Sequence, residues 1–192
     1  MIFRRKNKIL SDNELMRLIV SHDQSAFSKL YLRYKDRIYY YFYRMLGNSS
    51  DLANDFLQEL FMKIIQKPEN YNPAYGFKTW LFSIANNMCK NEYRRRGVHT
   101  KFQQYEVHEE KFDFINEQTV ETKLVIEKIF QSLEQLGQEH QSTFLLRYRE
   151  GFSIGEVAEI LEVSEGTVKS RLFYARKYLA EKLNYLKEEI EF

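Results

Sequence analysis

The chain has 192 residues, of which 44% are hydrophobic and 29% charged, so it has enough apolar side chains to fold and enough charge to stay in solution. Its length allows one ordinary domain or two small ones, and its net charge of +2 does not by itself identify a nucleic-acid binder. A single cysteine, Cys89, excludes an intramolecular disulfide, and the four histidines lack the spacing of zinc ligands. With no signal peptide and no apolar run of about 18 residues, the sequence predicts a cytoplasmic protein without membrane insertion.

The first half of the chain has the patterns of amphipathic helices. Only two prolines and seven glycines occur in the chain, and charged and long aliphatic residues recur throughout, which predicts an all-α fold. Ser11 to Glu14 has the spacing of a capping box, so a helix is expected to begin there. A second helix is predicted from Ala26 to Leu46, and its aromatic run 39–43 covers every side, which indicates packing between helices. The residues 47–50 end that helix and cap the next.

The next predicted helix carries two different faces. Its apolar residues recur at intervals of three and four and form a core stripe: Ala53, Phe56, Leu57, Leu60 and Ile64. The other side carries Asp55, Gln58, Glu59 and Met62. Asp55 and Glu59 have the spacing of paired metal ligands or an acid/base pair, but no third ligand or histidine accompanies them. We therefore expect an acidic interaction face and no metal site.

A loop and a long helix follow. Residues 67–76 contain both prolines and predict a loop rich in aromatic and amide side chains. The helix from Phe77 to Arg96 buries one stripe: Leu81, Ile84, Ala85 and Met88. A second stripe consists of Trp80, Ser83, Asn87, Asn91 and Arg94.

This second stripe has two interpretations. Aromatic rings, amides and cations together suit unstacked bases of single-stranded nucleic acid, and Tyr71, Tyr75 and Phe77 offer further stacking faces. Alternatively, Trp80 belongs to the core and the arginines 94–96 complement the dipole at the end of the helix. Without further information, the second interpretation is preferred.

The second half of the chain begins with an acidic stretch. Helical periodicity fades from Gly97 to about Thr119 while acids accumulate, which predicts an interdomain linker. Beyond it, apolar periodicity predicts one helix ending at Gly137 and another ending at Gly151. Ser153 to Glu156 repeats the capping-box spacing, and the short turn 162–164 leads into a final helix. This succession of helix, short turn and helix is typical of a helix-turn-helix motif.

The final helix has a cationic outer face. Between residues 165 and 187 there are six Lys or Arg against two Glu. The outward residues are Lys169, Ser170, Arg171, Phe173, Arg176 and Lys177. Polar and cationic side chains near the start of such a helix read bases in the major groove, and cations farther along hold phosphates. A basic solvated face is the less specific alternative.

The common enzyme motifs are absent. The sequence contains no GxxxxGK[ST], GxGxxG, HExxH or GxSxG motif, so it offers no visible catalytic residues and no cofactor site. We expect a protein that is not an enzyme. A nuclease that uses Asp55 and Glu59 is a remote alternative, which metal-dependent cleavage would reveal.

Three segments resemble a known family. DLANDFLQELFMKI and FKTWLFSIANNMCKNEYRRR resemble conserved region two of bacterial RNA polymerase sigma factors, and LLRYREGFSIGEVAEILEVSEGTVKSRLFYARKYL resembles region four. The short linker and the absence of a third globular domain resemble the extracytoplasmic-function group. The resemblance implies two small helical domains joined by a flexible linker: region two over 11–97, a linker over 98–120 and region four over 121–187.

The resemblance also implies a role for each surface. Asp55, Gln58, Glu59 and Met62 would dock on the clamp helices of the largest subunit of core RNA polymerase. Unpaired promoter DNA at the minus-ten element would contact Tyr71, Phe77, Trp80, Asn87, Lys90, Asn91, Arg94 and Arg95. Duplex DNA at the minus-thirty-five element would contact Lys169, Ser170, Arg171, Phe173, Arg176 and Lys177. Members of this group are commonly held by an anti-sigma factor, often membrane-bound, and we expect one here.

Three residues depart from the family pattern. Glu162 stands at a turn position where the family usually has glycine, which costs about 1 kcal/mol if the residue needs a positive φ. Gly137 stands where proline is common, and Asn91 where many members have Asp. The alternative to a sigma factor is a helix-turn-helix transcriptional regulator that binds duplex DNA without polymerase. Such a regulator has no use for a docking face at Asp55 and Glu59, so the sigma factor is preferred.

Overall fold

The structure, a computed structural model, describes residues 10–99 and 128–190. Within these ranges all regular secondary structure is helical, which confirms the all-α prediction. None of the described helices is long and apolar enough to cross a membrane. The predicted linker 98–120 lies outside the described residues, except that residues 98 and 99 continue a helix.

Four α-helices form the N-terminal half, and a short 3₁₀ helix (Pro68–Asn70) lies between the third and the fourth. The α-helices are α1 (Asp12–Val20), α2 (Gln24–Met45), α3 (Ser50–Gln66) and α4 (Phe77–His99). The capping box at the start of α1 is confirmed, since Ser11 Oγ accepts from the Glu14 amide at 3.2 Å and Glu14 Oε2 accepts from the Ser11 amide at 2.8 Å. Asp23 caps α2 through its carboxylate, which accepts from the amide of Ser25 at 2.8 Å.

The aromatic run of α2 fills the centre of this half. Tyr40, Tyr41 and Phe42 are buried, as the pattern predicts. The ring of Tyr41 meets that of Phe82 edge-on at 5.5 Å between centroids, and its hydroxyl donates to Oδ1 of Asn86 at 3.2 Å. Phe42 meets Phe56 of α3 at 5.5 Å. Packing of this kind between helices explains why one helix carries aromatic residues on several sides.

The C-terminal half contains the predicted helix-turn-helix. A helix over 128–134, here α5, is followed by α6 (Gln138–Phe144), a wide helical turn at Leu145–Arg149, α7 (Ile154–Leu161) and α8 (Glu165–Ile190). The second capping box is confirmed, because Ser153 Oγ accepts from the Glu156 amide at 3.2 Å. Glu162 ends α7 with φ 56° and ψ 46°, so the residue that stands where the family usually has glycine is in the left-handed conformation. Gly137 has φ 85°, which the φ of a proline, fixed near −65°, could not reproduce.

The two halves pack against each other. Phe152, in the turn before α7, is 1% exposed and meets Phe82 of α4 at 5.2 Å between ring centroids. Gln141 of α6 donates through Nε2 to the carbonyl oxygen of Arg44 in α2 at 2.9 Å. The predicted domain limits 11–97, 98–120 and 121–187 stay predictions, but the described halves share one continuous apolar core.

Candidate protein and nucleic-acid interfaces

The outer face of α3 is the candidate protein interface. Ala53, Leu57, Leu60 and Ile64 anchor the helix in the core, and Ser49 caps it by accepting from the amide of Leu52 at 3.3 Å. As a consequence the opposite side points to solvent, and all four predicted docking residues are exposed: Asp55, Gln58, Glu59 and Met62.

This face mixes acids with exposed apolar side chains. Met62 is 51% exposed and Ile65, one turn after Met62, is 44% exposed. Glu59 forms an ion pair with Lys63 at 2.8 Å. Because both side chains are exposed to solvent, this pair contributes little to the stability of the fold. Asp55 has an exposed carboxylate one turn earlier. An acidic surface with an apolar edge suits a basic, partly apolar protein partner.

The aromatic side chains around the 67–76 loop are divided between core and surface. Tyr71 and Phe77 are buried, and their rings lie 5.5 Å apart, edge to face. Burial raises the pKa of Tyr71, whose hydroxyl donates to the carbonyl oxygen of Tyr75 at 3.0 Å. Tyr75 is 54% exposed and Trp80 is half-buried beside the other two rings. Of the predicted stacking residues, Tyr75 is thus exposed and Trp80 partly exposed, while the buried rings of Tyr71 and Phe77 pack against Trp80.

The polar stripe of α4 reaches solvent toward the end of the helix. Asn87 and Lys90 are half-buried, whereas Asn91, Arg94 and Arg95 are exposed. Glu92, one turn from the arginines, is buried and accepts from Arg95 Nε at 2.8 Å and from Arg96 Nε at 2.9 Å. The hydrogen bond from Arg95, first, and that from Arg96 lower the pKa of Glu92 to about 2, although burial of the carboxylate by itself would raise this pKa. The predicted minus-ten residues of α4 beyond Trp80 therefore form a cationic, amide-bearing surface, and Glu92 holds one of its arginines, Arg95.

The outer face of α8 is the candidate duplex-binding surface. Val168, Leu172, Ala175 and Leu179 fix the helix in the core. Ser164 caps its first turn, with Oγ accepting from the Thr167 amide at 3.1 Å. Five of the six predicted residues are exposed: Lys169, Ser170, Phe173, Arg176 and Lys177.

The sixth residue, Arg171, is placed differently. Its side chain is only 16% exposed and forms an ion pair with Glu139 at the start of α6. Arg171 also lines a cavity of about 120 Å³ between the two halves, together with Asn86 and Lys90 of α4 and Glu162 of the helix-turn-helix. A predicted minus-ten residue and a predicted minus-thirty-five residue thus face one cleft.

Glu150 is a prominent charged residue that the sequence reasoning missed. It is 5% exposed and accepts from Arg37 of α2, while Lys78 of α4 donates to its carbonyl oxygen. No local pattern indicates this cluster, because Arg37 and Glu150 are 113 positions apart. Among the described residues, no group of three or more His, Cys, Asp or Glu side chains could hold a metal ion.

Comparisons with known proteins agree on one family. The family model described as Sigma-70 region 2 matches residues 30–98, and that described as Sigma-70, region 4 matches residues 126–179. The ECF RNA polymerase sigma factor SigW of Bacillus subtilis is 30% identical over 174 residues, which are 85% of this chain and 92% of the relative. The ECF RNA polymerase sigma-E factor of Escherichia coli strain K12 is 28% identical over 186 residues, 92% of this chain and 96% of the relative.

Solved structures show the same fold. CnrH in complex with the cytosolic domain of CnrY is similar with a TM-score of 0.68 and 22% identity, over 91% of this chain and 97% of that chain. The sigma factor RpoE in complex with the anti-sigma factor NepR from Bartonella quintana gives a TM-score of 0.66 and 23% identity, over 82% and 96%.

Proposed function

The chain belongs to the extracytoplasmic-function group of sigma-70 factors, and from that premise we propose that it binds core RNA polymerase and selects promoters through two DNA elements. Sigma factors are initiation factors rather than enzymes, in keeping with the lack of enzyme motifs in the sequence. The observation that carries the proposal is the presence in one chain of an exposed acidic face on α3 and an exposed cationic face on α8. A protein that bridges polymerase and DNA needs both surfaces.

The α3 face would bind the polymerase. Asp55, Gln58 and Glu59 offer acceptors for basic side chains of the clamp helices, and Met62 with Ile65 would bury apolar area at the edge. The charges steer association and fix orientation, while the apolar contacts slow dissociation.

The α4 surface would hold the unpaired minus-ten strand. A base turned out of the duplex loses a few kcal/mol of stacking and pairing, which a pocket with an aromatic wall and amide groups offsets. Trp80, packed against Tyr71 and Phe77, would supply the wall, and Asn87 and Asn91 the amides. Lys90, Arg94 and Arg95 would bind the backbone.

The α8 surface would read the minus-thirty-five duplex. Lys169, Ser170 and Phe173 lie in the first half of the helix, where a recognition helix contacts base edges. Arg176 and Lys177, one to two turns later, would bind phosphates. Arg171 would join them once separated from Glu139.

Transcription from a promoter library tests the proposal. Purified bacterial core polymerase is incubated with the library and with or without this protein, and run-off products and gel shifts are recorded. We expect promoter-specific transcripts only when both proteins are present. Tight binding of duplex DNA by this protein alone, without polymerase association or transcripts, would instead establish the polymerase-independent regulator.

An inhibitory partner is part of the proposal. Two of the similar solved structures are complexes, CnrH with CnrY and RpoE with the anti-sigma factor NepR. By analogy we propose that an anti-sigma factor binds this chain in the cytoplasm, with the partner itself soluble or anchored in the membrane. Co-purification from the native cell tests this, and isolation of the chain bound to polymerase alone under every growth condition would contradict it.

A further inference from the structure

The first turn of α1 contacts the aromatic side chains around Trp80 through two adjacent residues. The hydroxyl of Tyr71 donates a hydrogen bond to Oδ1 of Asn13. The hydroxyl of Tyr34 donates to Oδ2 of Asp12. Asp12 and Asn13 thus each hold the hydroxyl group of one tyrosine, although α1 is far from α4 in the sequence.

These two tyrosines belong to one cluster of four rings. The ring centroid of Tyr71 lies 5.2 Å from that of Trp80 and 5.5 Å from that of Phe77. Phe77 in turn lies 5.4 Å from Tyr34 and 5.8 Å from Trp80. Three of the rings are buried, and Trp80 is the partly exposed member of the cluster. The place of the Trp80 ring therefore depends on two tyrosines that are bound to α1.

The first turn of α1 is itself firmly placed. Asp12 forms an ion pair with Arg33 of α2, and Arg33 Nη2 donates to the carbonyl oxygen of Leu10 at 2.9 Å. The next residues of the helix, Leu15 and Met16, are buried in the core. These contacts involve no residue of the 67–76 loop, so α1 offers that loop a fixed point of attachment.

The hydroxyl of Tyr71 connects this fixed point to an exposed segment. Tyr71 directly follows the short helix Pro68–Asn70, and residues 72–76 are all exposed. Besides its bond to Asn13, the hydroxyl donates to the carbonyl oxygen of Tyr75 at 3.0 Å. Asn13 is an exposed residue, so its replacement by a smaller side chain opens no cavity in the core. Its contact with Tyr71 can therefore be removed without disturbing the apolar packing.

We propose that the first turn of α1 positions the ring of Trp80 for the capture of an unpaired base, with Asp12 and Asn13 as the positioning residues. Asp12 acts through Tyr34, and Asn13 acts through Tyr71. This inference rests on the proposed function, in which Trp80 is the aromatic wall of the minus-ten site. A ring that is already fixed loses little conformational freedom when a base stacks on it, so more of the stacking energy contributes to affinity.

The fluorescence of Trp80 tests the structural part of the inference. Trp80 is the only tryptophan of the chain, so emission excited where tyrosine does not absorb reports on this ring alone. Asn13→Ala removes the acceptor, and Tyr71→Phe removes the donor but keeps the ring. We expect both variants to retain wild-type helix content by circular dichroism and to show stronger quenching of Trp80 by iodide, because the ring is less firmly held. Asn13→Asp keeps an acceptor oxygen and should restore wild-type quenching.

Binding of an unpaired DNA segment tests the functional part. Polymerase loaded with each variant is bound to a promoter selected from the library, with its minus-ten segment unpaired by mismatches and one purine there replaced by 2-aminopurine. We expect Asn13→Ala and Tyr71→Phe each to weaken binding about threefold to tenfold, the effect of one lost hydrogen bond. The double variant should bind no more weakly than the single ones, because both changes break the same bond. Asn13→Asp should bind as wild type.

Two further variants separate the contact from general effects on the helices. Tyr34→Phe removes the donor to Asp12 but leaves the ion pair of Asp12 with Arg33, and we expect it to act in the same direction as Tyr71→Phe. Gln24→Ala removes an exposed amide side chain from the first turn of α2 and should behave as wild type. All variants should bind a duplex that carries only the minus-thirty-five element with wild-type affinity.

Each outcome decides the inference. Wild-type quenching in both Asn13→Ala and Tyr71→Phe would overturn it, and so would stronger quenching with unchanged affinity for the unpaired segment, which would make the contact purely structural. Stronger quenching together with weaker binding, both restored by Asn13→Asp, supports it. If polymerase loaded with the wild-type protein selected no promoter and bound no unpaired segment, the proposed function would be refuted, and the positioning role would be refuted with it.

Discussion

The carboxylate of Glu92 accepts a 2.9 Å hydrogen bond from Nε of Arg96, one helical turn later on α4. The same carboxylate accepts two bonds of 2.8 Å from Arg95. Arg95 is 69% exposed and Arg96 25% exposed at their side chains, whereas Glu92 is 7% exposed. A buried acid therefore orients the cationic end of the helix that is proposed to hold the unpaired DNA strand.

This arrangement predicts a loss of stability in acid. The pKa of Glu92 is lowered from 4.5 to about 2 by hydrogen bonds from Arg95, foremost, and Arg96. A carboxylate whose pKa is lower in the folded than in the unfolded protein stabilises the fold fully at pH values above the unfolded pKa. That stabilisation is lost as the pH falls from about 4.5 to about 2. Glu92→Gln should lower the free energy of unfolding by about 1–3 kcal/mol at pH 7 and remove this part of the pH dependence. Urea denaturation at several pH values measures both.

The control for Glu92 is an exposed acid on another helix. Asp36 has a side chain that is 82% exposed, and Asp36→Asn should change stability by less than about 0.5 kcal/mol at any pH. Equal acid sensitivity in wild type and Glu92→Gln would show that the arginine contacts do not stabilise the folded state.

The left-handed backbone conformation of Glu162 leads us to predict a stabilising substitution. Its φ of 56° and ψ of 46° place an exposed glutamate in the left-handed region at the end of α7. A side chain there costs about 1 kcal/mol relative to glycine, the residue that most often ends helices in this way. We expect Glu162→Gly to raise the free energy of unfolding by about 1 kcal/mol and to raise Tm. Glu159→Gly, exposed but inside α7, should lower it by a similar amount. A lower Tm for Glu162→Gly would show that the glutamate makes contacts worth more than its backbone strain.

The positive φ of Gly137 leads us to predict that substitutions there destabilise the protein. Its φ of 85° and ψ of 161° lie in a region that is essentially restricted to glycine. No atom lies within 4 Å of an added Cβ, so the cost of a side chain here comes from the backbone alone. Gly137→Ala should destabilise the protein by about 1–3 kcal/mol, and Gly137→Pro by more, because proline cannot adopt this φ. Thermal unfolding of both variants tests this, and wild-type stability of Gly137→Pro would mean that the turn can rearrange to the form implied by the family.

Local patterns in the sequence predicted most of the helical architecture. Capping boxes at Ser11 and Ser153 and the apolar stripe of α3 depend on residues three or four positions apart, so they are visible in the sequence alone. The positive φ of Glu162 was raised only as a condition, because Glu162 stands where the resembled family usually has glycine.

Features that depend on distant residues could not be predicted. Tyr71 and Phe77 look like available stacking rings in the sequence, but both are buried, since Phe77 packs against Tyr34 of α2 and the Tyr71 hydroxyl donates to Asn13 of α1. The pairing of Arg171 with Glu139 and that of Arg37 with Glu150 join residues 32 and 113 positions apart. A charged side chain in a sequence indicates only that a partner or water is required, and the tertiary fold decides which.

The α3 face predicts a charge-dependent association with polymerase. Asp55→Lys combined with Glu59→Lys reverses the sign of an exposed surface and buries no new group, so the fold should be retained. Opposing like charges cost several kcal/mol at an interface, and we expect the affinity for core polymerase to fall at least about 100-fold. Met62→Ala should weaken binding by about 1–2 kcal/mol through lost apolar contact.

The α3 experiment has a matched control. Asp36→Lys reverses a charge on the exposed side of α2 and should leave polymerase binding unchanged. Competition binding against a labelled sigma factor measures all variants. Wild-type affinity of the Asp55 and Glu59 double variant would exclude the docking assignment, whereas loss of affinity in Asp36→Lys as well would indicate a nonspecific charge effect.

The α8 face predicts two kinds of DNA-binding variant. Ser170 lies on the second turn of the helix, where a side chain contacts base edges, and Arg176 lies two turns later, where a cation contacts phosphates. Polymerase loaded with Ser170→Ala should lose about 1–3 kcal/mol on its preferred minus-thirty-five element and less on others, which relaxes specificity. Arg176→Ala should weaken binding evenly across sequences and reduce the slope of log affinity against log salt by about 1. Binding measured over a range of salt concentrations on preferred and scrambled duplexes separates the two effects. If Arg176→Ala changed sequence preference while Ser170→Ala changed only the salt slope, the helix would lie in the groove in a different register from the one proposed.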